Sequence, residues 1–411
     1  MTTTVATTHP GALLTGSQRL VYVLVLGALV ALGPFTIDLY LPAFPAIADE
    51  FRVSDAAIQL TLTATTIGFG VGQLLVGPWT DRVGRKLPLI LATVVHIASS
   101  IGVALAPDLM WIAIFRVLQG MGAAAGAVVA MAAVRDLFGG RPLVRMLSRL
   151  ALVTGLAPII APLVGSQLLL VLEWRGVFYF LAAYGVLAML AAVFLIVETL
   201  PKSERQAGVR GATLARYRAL FRDRVFLGVA LIGGMSFSGL FAYVSSSPFL
   251  FQDLYGLDAQ QFGLLFAINS VGIVIGTQSS ARLARRWGPQ WILAGSTAML
   301  LLSSASIIVS SLTGGGLLGV VIPLWFFIMA AGFTLPMVQV LALVNHGKEA
   351  GTAASLLGAM NFGLAGLISP IVGLFGVSPV VMAGVMASAS LVAVASLWLV
   401  VRPRTVADIG H

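Results

Sequence analysis

Apolar stretches about twenty residues long follow one another along nearly the whole chain, and they constrain its fold more than any other feature. Backbone inside hydrocarbon must satisfy its own hydrogen bonds, so runs of that length fold as helices. Hydropathy places twelve of them, at residues 20–44, 56–76, 87–105, 109–134, 147–172, 176–197, 225–251, 262–283, 290–311, 317–343, 351–375 and 379–401. Only 9% of the 411 residues are charged and the mean hydropathy is +1.01. Soluble domains carry about 25% charged residues, so the expected class is an all-α integral membrane protein. The 45 glycines suit helices that pack closely in lipid. The absence of cysteine excludes a disulfide framework and a thiolate metal site.

The net charge of +9 raises the possibility of nucleic acid, but the placement of the basic residues gives a better reading. With the N-terminus inside, 21 of the 24 Lys and Arg fall in inner segments: Arg19; Arg82, Arg85 and Lys86; Arg135, Arg141, Arg145 and Arg149; Lys202, Arg205, Arg210, Arg216, Arg218, Arg222 and Arg224; Arg282, Arg285 and Arg286; Lys348; Arg402 and Arg404. Arg52 and Arg175 fall outside and Arg116 lies within a helix. This bias is the positive-inside rule. It predicts an even number of spans, cytoplasmic termini and no nucleic-acid partner. The polar, Thr-rich start lacks a signal-peptide h-region and cleavage site, so the first helix is expected to be retained. The expected organisation is a cytoplasmic tail (1–19), a six-helix bundle (20–197), a cytoplasmic linker (198–224), a second six-helix bundle (225–401) and a short cytoplasmic tail (402–411). The linker is basic and reads as a topogenic segment, with an amphipathic stretch on the anionic leaflet as the alternative.

A weak internal repeat supports two related halves. Gly77-Pro78-Trp79-Thr80-Asp81-Arg82-Val83-Gly84-Arg85-Lys86 follows helix 2, and a similar basic, glycine-punctuated segment from Gly276 to Gly288 follows helix 8 without the Asp. Paired six-helix halves place a substrate site between them near the midplane.

Asp38 is the one acid set well inside a span. A carboxylate there costs roughly 2.5–3.5 kcal/mol on insertion scales and faces a cavity or a partner. A proton can neutralise it, so its charge can change. Arg116 is the matching base. At 1.5 Å per residue Asp38 lies about 9 Å, and Arg116 about 10 Å, below the same membrane edge. The two are therefore expected to face one central cavity as a coupled proton-exchanging pair. A static structural ion pair is the competing reading.

Other candidates are the latch Gly77, Asp81, Arg82, Gly84, Arg85 and Lys86, where basic residues can pair with Asp81 or with a helix C-terminus and Gly84 permits a tight reversal. In helix 5, Gly155, Pro158, Pro162 and Gly165 predict kinks and close packing. Tyr40, Gln119, Phe237, Phe241, Asn269 and Asn361 are the candidates to line a substrate cavity, although intramembrane polar groups such as Gln73, His96, Gln167, Asn269, Gln339 and Asn361 serve first as interhelical hydrogen-bond partners. His96 can also titrate. There is no phosphate-binding loop, and two of the four histidines lie near the termini, so neither ATP, nor a metal, nor any cofactor is expected, and nothing suggests an enzyme.

The helix 2–3 segment resembles the cytoplasmic loop signature of the major facilitator superfamily. T-I-D-L-Y-L-P-A-F-P from Thr36, R-x-x-Q-G-x-G-A-A from Arg116, V-R-D-L-F at 134–138, W-R-G-V-F at 174–178 and G-T-A-A-S-L-L-G at 351–358 look like its Bcr/CflA drug-resistance branch. Helix 5 resembles the antiporter motif, except that Ala precedes both prolines. The resemblance implies a twelve-helix, monomeric exporter in the bacterial inner membrane, exchanging protons for lipophilic antibiotics of chloramphenicol or bicyclomycin type, with lipids as its surroundings. It carries proton coupling over to Asp38 and Arg116. Some related exporters have a second acid two turns earlier, where this chain has Leu29, Val30 and Ala31, so a single carboxylate on helix 1 is expected to couple. A metabolite transporter of the same fold is the alternative, and a membrane sensor without transport is the alternative from another class.

Overall fold

The computed structural model describes residues 11, 14–205, 218–344, 346 and 350–405. Arg210, Arg216 and Lys348, used above for topology, lie outside the described residues, as does the middle of the linker. Among the described residues the regular structure is helical, without strands. The membrane helices are α1 (Gly16–Asp38), α2 (Asp55–Val83), α3 (Lys86–Ala104), α4 (Leu109–Leu137), α5 (Gly140–Leu168), α6 (Trp174–Leu195), α7 (Arg224–Pro248), α8 (Ala259–Trp287), α9 (Pro289–Leu312), α10 (Gly316–Leu343), α11 (Ala350–Ile368) and α12 (Pro379–Ala395). Alone or with short continuations, all twelve are long and apolar enough to cross a membrane. The exterior is apolar: Leu187 is 68% and Phe194 78% exposed. In water such surface would be a liability, and in lipid it is the solvent contact.

Local chemistry sets the ends. Thr15 with Gln18, and Asp258 with Gln261, form capping boxes at the starts of α1 and α8. Asp108, Asp223 and Ser378 cap α4, α7 and α12. Gly84 at φ +104° ends α2, and Gly288 at φ +81° ends α8. A left-handed glycine thus turns the chain at the same place in each half, which gives the weak sequence repeat a structural counterpart.

The packing repeats as well. In the first half α2 meets α4, α1 meets α5, and α3 meets α4 and α6; in the second α8 meets α10, α7 meets α11, and α9 meets α10 and α12. The halves meet along two seams, α2 against α11 and α5 against α8. At the end opposite the described termini the seams are bonded shut. Gln59 Oε1 accepts from the Gly373 N–H at 3.1 Å, Gln252 donates to the Pro42 carbonyl at 3.3 Å, and Gln260 donates to the Ser166 carbonyl at 3.0 Å. Phe44 and Phe249 face each other there at 5.7 Å.

Several boundaries differ from expectation. α2 runs through the basic motif to Val83, and α5 begins at Gly140. Helix 1 is not continuous to residue 44: it stops at Asp38, turns through Leu41–Ala43 and resumes as the short helix Phe44–Phe51. Pro42 and Pro45 have no N–H to continue the ladder. Helix 11 likewise breaks at Ile368, ahead of Pro370.

Candidate functional site

Asp38 is the last residue of α1 and is 6% exposed. Its position is fixed from two sides. A methyl group at Gly165 of α5 would collide with the Leu39 carbonyl, so glycine lets α5 press directly on the chain beside Asp38. From α4, Arg116 reaches the end of α1: its guanidinium donates to the Thr36 carbonyl at 2.9 Å and to Gln119 Oε1 at 2.7 Å. The guanidinium carbon stands 3.9 Å from the Tyr40 ring centroid and 5.7 Å from that of Phe178. A cation at a helix C-terminus meets carbonyls that have no intrahelical donor. The planar guanidinium can satisfy one of them while stacking on an aromatic face.

Asp38 and Arg116 form no direct ion pair in this structure, so the competing reading of a static structural pair finds no support here. Both residues are buried in one layer, but among the described residues Asp38 takes part in no ion pair. Arg116 holds Thr36 and Tyr40, two residues to either side of Asp38, and side chains two apart do not share a helix face. The turn that follows Asp38, Leu41–Ala43, meets α7 and α8 of the second half, where the Tyr243 hydroxyl accepts from Asn269 Nδ2 at 3.3 Å. Asp38 thus lies beside the turn that meets the second half, while Arg116 braces the first.

The cavity candidates divide in the same way. Tyr40 is 1% exposed, with its hydroxyl 3.2 Å from Thr61 Oγ1, and Gln119 is fully buried, spending its amide on Ser100 Oγ at 2.8 Å. In this structure both support Arg116. His96 lies behind them, with Nδ1 3.4 Å from the Gln119 carbonyl, packed against Gly122 and Gly185. Asn269 is buried with Oδ1 unsatisfied, and Asn361 Oδ1 is also unsatisfied. Phe237 and Phe241 join a ring lattice. Their centroids are 4.7 Å apart, Phe237 meets Phe362 at 5.0 Å, and Phe362 stacks on Phe69 of the other half at 5.0 Å with planes 16° apart.

The latch residues gather at the end of the bundle that carries the described termini. Arg85 pairs with Asp81 at 2.5 Å and with Asp136 of α4 at 2.9 Å, and donates to Thr80 Oγ1 at 3.0 Å. Burial opposes its charge, but the hydrogen bonds to Asp136 and Asp81 outweigh it and hold the guanidinium above its ordinary pKa. Thr199 also donates to Asp136. Lys86 Nζ donates to the Val193 carbonyl at 2.6 Å. Glu198 accepts from the N–H groups of Arg85 and Lys86 at 2.8 and 3.2 Å, and so caps α3 from beyond α6. Burial pushes its pKa up, but those bonds, with Arg205 nearby, outweigh burial and lower it. Arg82 is exposed. Apart from Gly77, which lies over Ser355 of α11, the cluster ties α2, α3, α4 and the end of α6 within one half. At the far end Trp174 and Arg175 grip the two oxygens of Glu50, giving the W-R-G-V-F motif its place.

Asp136, Glu198, Tyr243, Ser100, Phe69 and Phe362 were not singled out as site residues from sequence. Asp136 lies inside the V-R-D-L-F motif, and its position at an inner helix end near a basic loop is the signal the sequence offers.

Among the described residues, twelve spans in two similarly packed halves, with a buried acid and a ring lattice joining the halves, define a multi-pass membrane protein. The sequence profile of the Major Facilitator Superfamily matches residues 24–370, and the chain belongs to that family of transporters. It is 36% identical to an uncharacterised MFS-type transporter, YdgK, of Bacillus subtilis over 90% of this chain and 93% of that protein. It is 31% identical to a bicyclomycin resistance protein homolog of Haemophilus influenzae, over 86% and 88%. It is 28% identical to the multidrug resistance protein MdtL of Vibrio parahaemolyticus, over 92% and 94%. Among solved structures, the xylose transporter XylE of E. coli in a partially occluded inward-open conformation aligns with a TM-score of 0.74 at 15% identity, covering 96% of this chain and 100% of that one.

Proposed function

We propose that this transporter exports lipophilic antibiotics in exchange for protons, by alternating exposure of a site between its halves. The observation that carries the reading is the buried Asp38 carboxyl, at a break in α1 and without an ion-pair partner among the described residues. A carboxyl so placed can be neutralised by a proton, so its charge can change during a transport cycle. The kinship with proteins named for bicyclomycin and multidrug resistance supports drugs as cargo. The ring lattice of Phe69, Phe237, Phe241 and Phe362 offers an apolar, aromatic surface for them.

In this reading the basic end is cytoplasmic, in the inner membrane of a bacterium, and the far end is closed. A lipophile entering from the cytoplasmic side wedges between rings of opposite halves. Its arrival and the loss of the Asp38 proton go together, because an unpaired carboxylate is costly in the closed, apolar layer and is relieved when the far end opens to water. Reprotonation from outside restores it. Arg116 keeps the bend in α1 rigid through the cycle. The Arg85 cluster holds the first half together as a rigid body, and the seams move around it.

A susceptibility panel on an efflux-deficient host, with ΔpH-driven flux in proteoliposomes, tests the proposal. Wild type is expected to raise resistance to at least one lipophilic antibiotic and to move it against a gradient when ΔpH is applied, while Asp38→Asn does neither. Flux of small metabolites that outcompetes every drug would instead favour the metabolite transporter.

A further inference from the structure

Proline at 162 removes the N–H that would bond the carbonyl four residues earlier, which is that of Pro158. Inside a membrane a carbonyl freed in this way must find another donor. The hydroxyl of Ser270, on α8 in the opposite half, lies 3.4 Å from it. The same hydroxyl is 2.8 Å from the Phe266 carbonyl on its own helix. Phe266 already has its helical donor in the Ser270 N–H, whereas Pro158 has lost its own.

The rest of the seam brings this donor close. A side chain at Gly263 would sit 2.6 Å from Ser166 Oγ and 3.0 Å from the Pro162 carbonyl, so only glycine lets α8 lie this near α5. A second α5 carbonyl, that of Ser166 in the last turn where helical donors run out, takes Gln260 of α8 at 3.0 Å. Two α5 carbonyls lacking donors are thus served by α8, across the surface on which the halves must part.

We propose that Ser270 is a positioning residue for the transport cycle: by donating across the seam to the carbonyl that Pro162 frees, it holds the far end closed, so Pro162 and Ser270 act as one device. Opening the far end withdraws the donor and leaves the carbonyl bare in an apolar setting. The device rests on the alternating-access part of the proposed function and is independent of the compound carried.

The chain has no cysteine, so Ser166→Cys introduces a single thiol. Ser166 is fully buried at the closed α5–α8 seam. Its labelling rate by a membrane-impermeant maleimide, in protein reconstituted into nanodiscs, reports far-end opening without any transport assay. In this background Ser270→Val is expected to raise the rate roughly three- to tenfold, the range of one lost hydrogen bond. Ser270→Thr, which has nearly the same shape and keeps the hydroxyl, should label like the parent. In a Pro162→Ala chain, where an N–H again serves the Pro158 carbonyl, Ser270→Val should have no further effect. Equal rates for the Val and Thr variants would overturn the proposal, as would a Val effect of the same size in the Pro162→Ala chain as in the chain that keeps Pro162. A parent that never labels would overturn alternating access and this device together, whereas failed drug transport with the expected labelling would leave the device standing and remove only the cargo.

Discussion

Arg116 illustrates how depth and direction separate at the level of a residue. Depth follows from the rise per residue alone, and Asp38 and Arg116 do share a layer, both buried. Direction around the helix depends on where α1 breaks, and the guanidinium takes the Thr36 carbonyl and the Tyr40 ring in place of the acid. Arg116→Ala should therefore destabilise the fold whatever the state of Asp38, by about 1–3 kcal/mol for a buried partner left unsatisfied. Thermal melting in detergent should show this drop equally in wild type and in Asp38→Asn; a drop that vanishes in Asp38→Asn would restore the ion pair. Tyr40→Phe keeps the ring under the guanidinium and loses the hydroxyl with its contact to Thr61, so its melting should change by less than about 1.5 kcal/mol, and Tyr40→Ala by more.

The elements are joined by ties that cross from one helix end to another. Glu198, past the end of α6, caps the start of α3, and Gly84 must be glycine beside it, since its φ is +104° and a methyl there would lie 2.5 Å from the Glu198 carboxylate. Gly84→Ala should lower the melting point and weaken transport of every substrate alike. The pH dependence of the Glu198 tie has a definite sign. Its folded pKa is depressed, so the stabilisation is full above the ordinary glutamate value of about 4.3 and fades as pH falls through the lower folded value. The melting difference between wild type and Glu198→Gln should be largest near neutrality and shrink in that acid range, and a difference independent of pH would contradict the tie. Helix number, the two halves and the basic motif were legible in the sequence because hydropathy and charge are local. The break after Asp38 was hinted at by Pro42 and Pro45, yet the apolar run continued through them and masked it. Asp136 and Glu198 could not be matched to Arg85 and α3, since those contacts join positions 51 and 113 residues apart.

At the scale of the whole molecule, the proposed cycle puts the motion on the two seams and leaves the polar groups of the first half to keep it rigid. Phe69 and Phe362 stack across the α2–α11 seam, so rings of opposite halves must part when it opens. Phe362→Leu keeps bulk and removes the π face. It should raise the transport KM for aromatic lipophiles several-fold while leaving that for aliphatic ones nearly unchanged, and equal change in both would remove the lattice from the cargo site. The central claim is that the proton carried in exchange for cargo resides on Asp38. Its most direct test is proton release from purified protein in weakly buffered detergent, read with a pH indicator as a transported drug is added. Wild type is expected to release roughly one proton per drug bound, as a single neutral carboxyl would, and Asp38→Asn none while still binding drug. Equal release from both proteins would contradict the account.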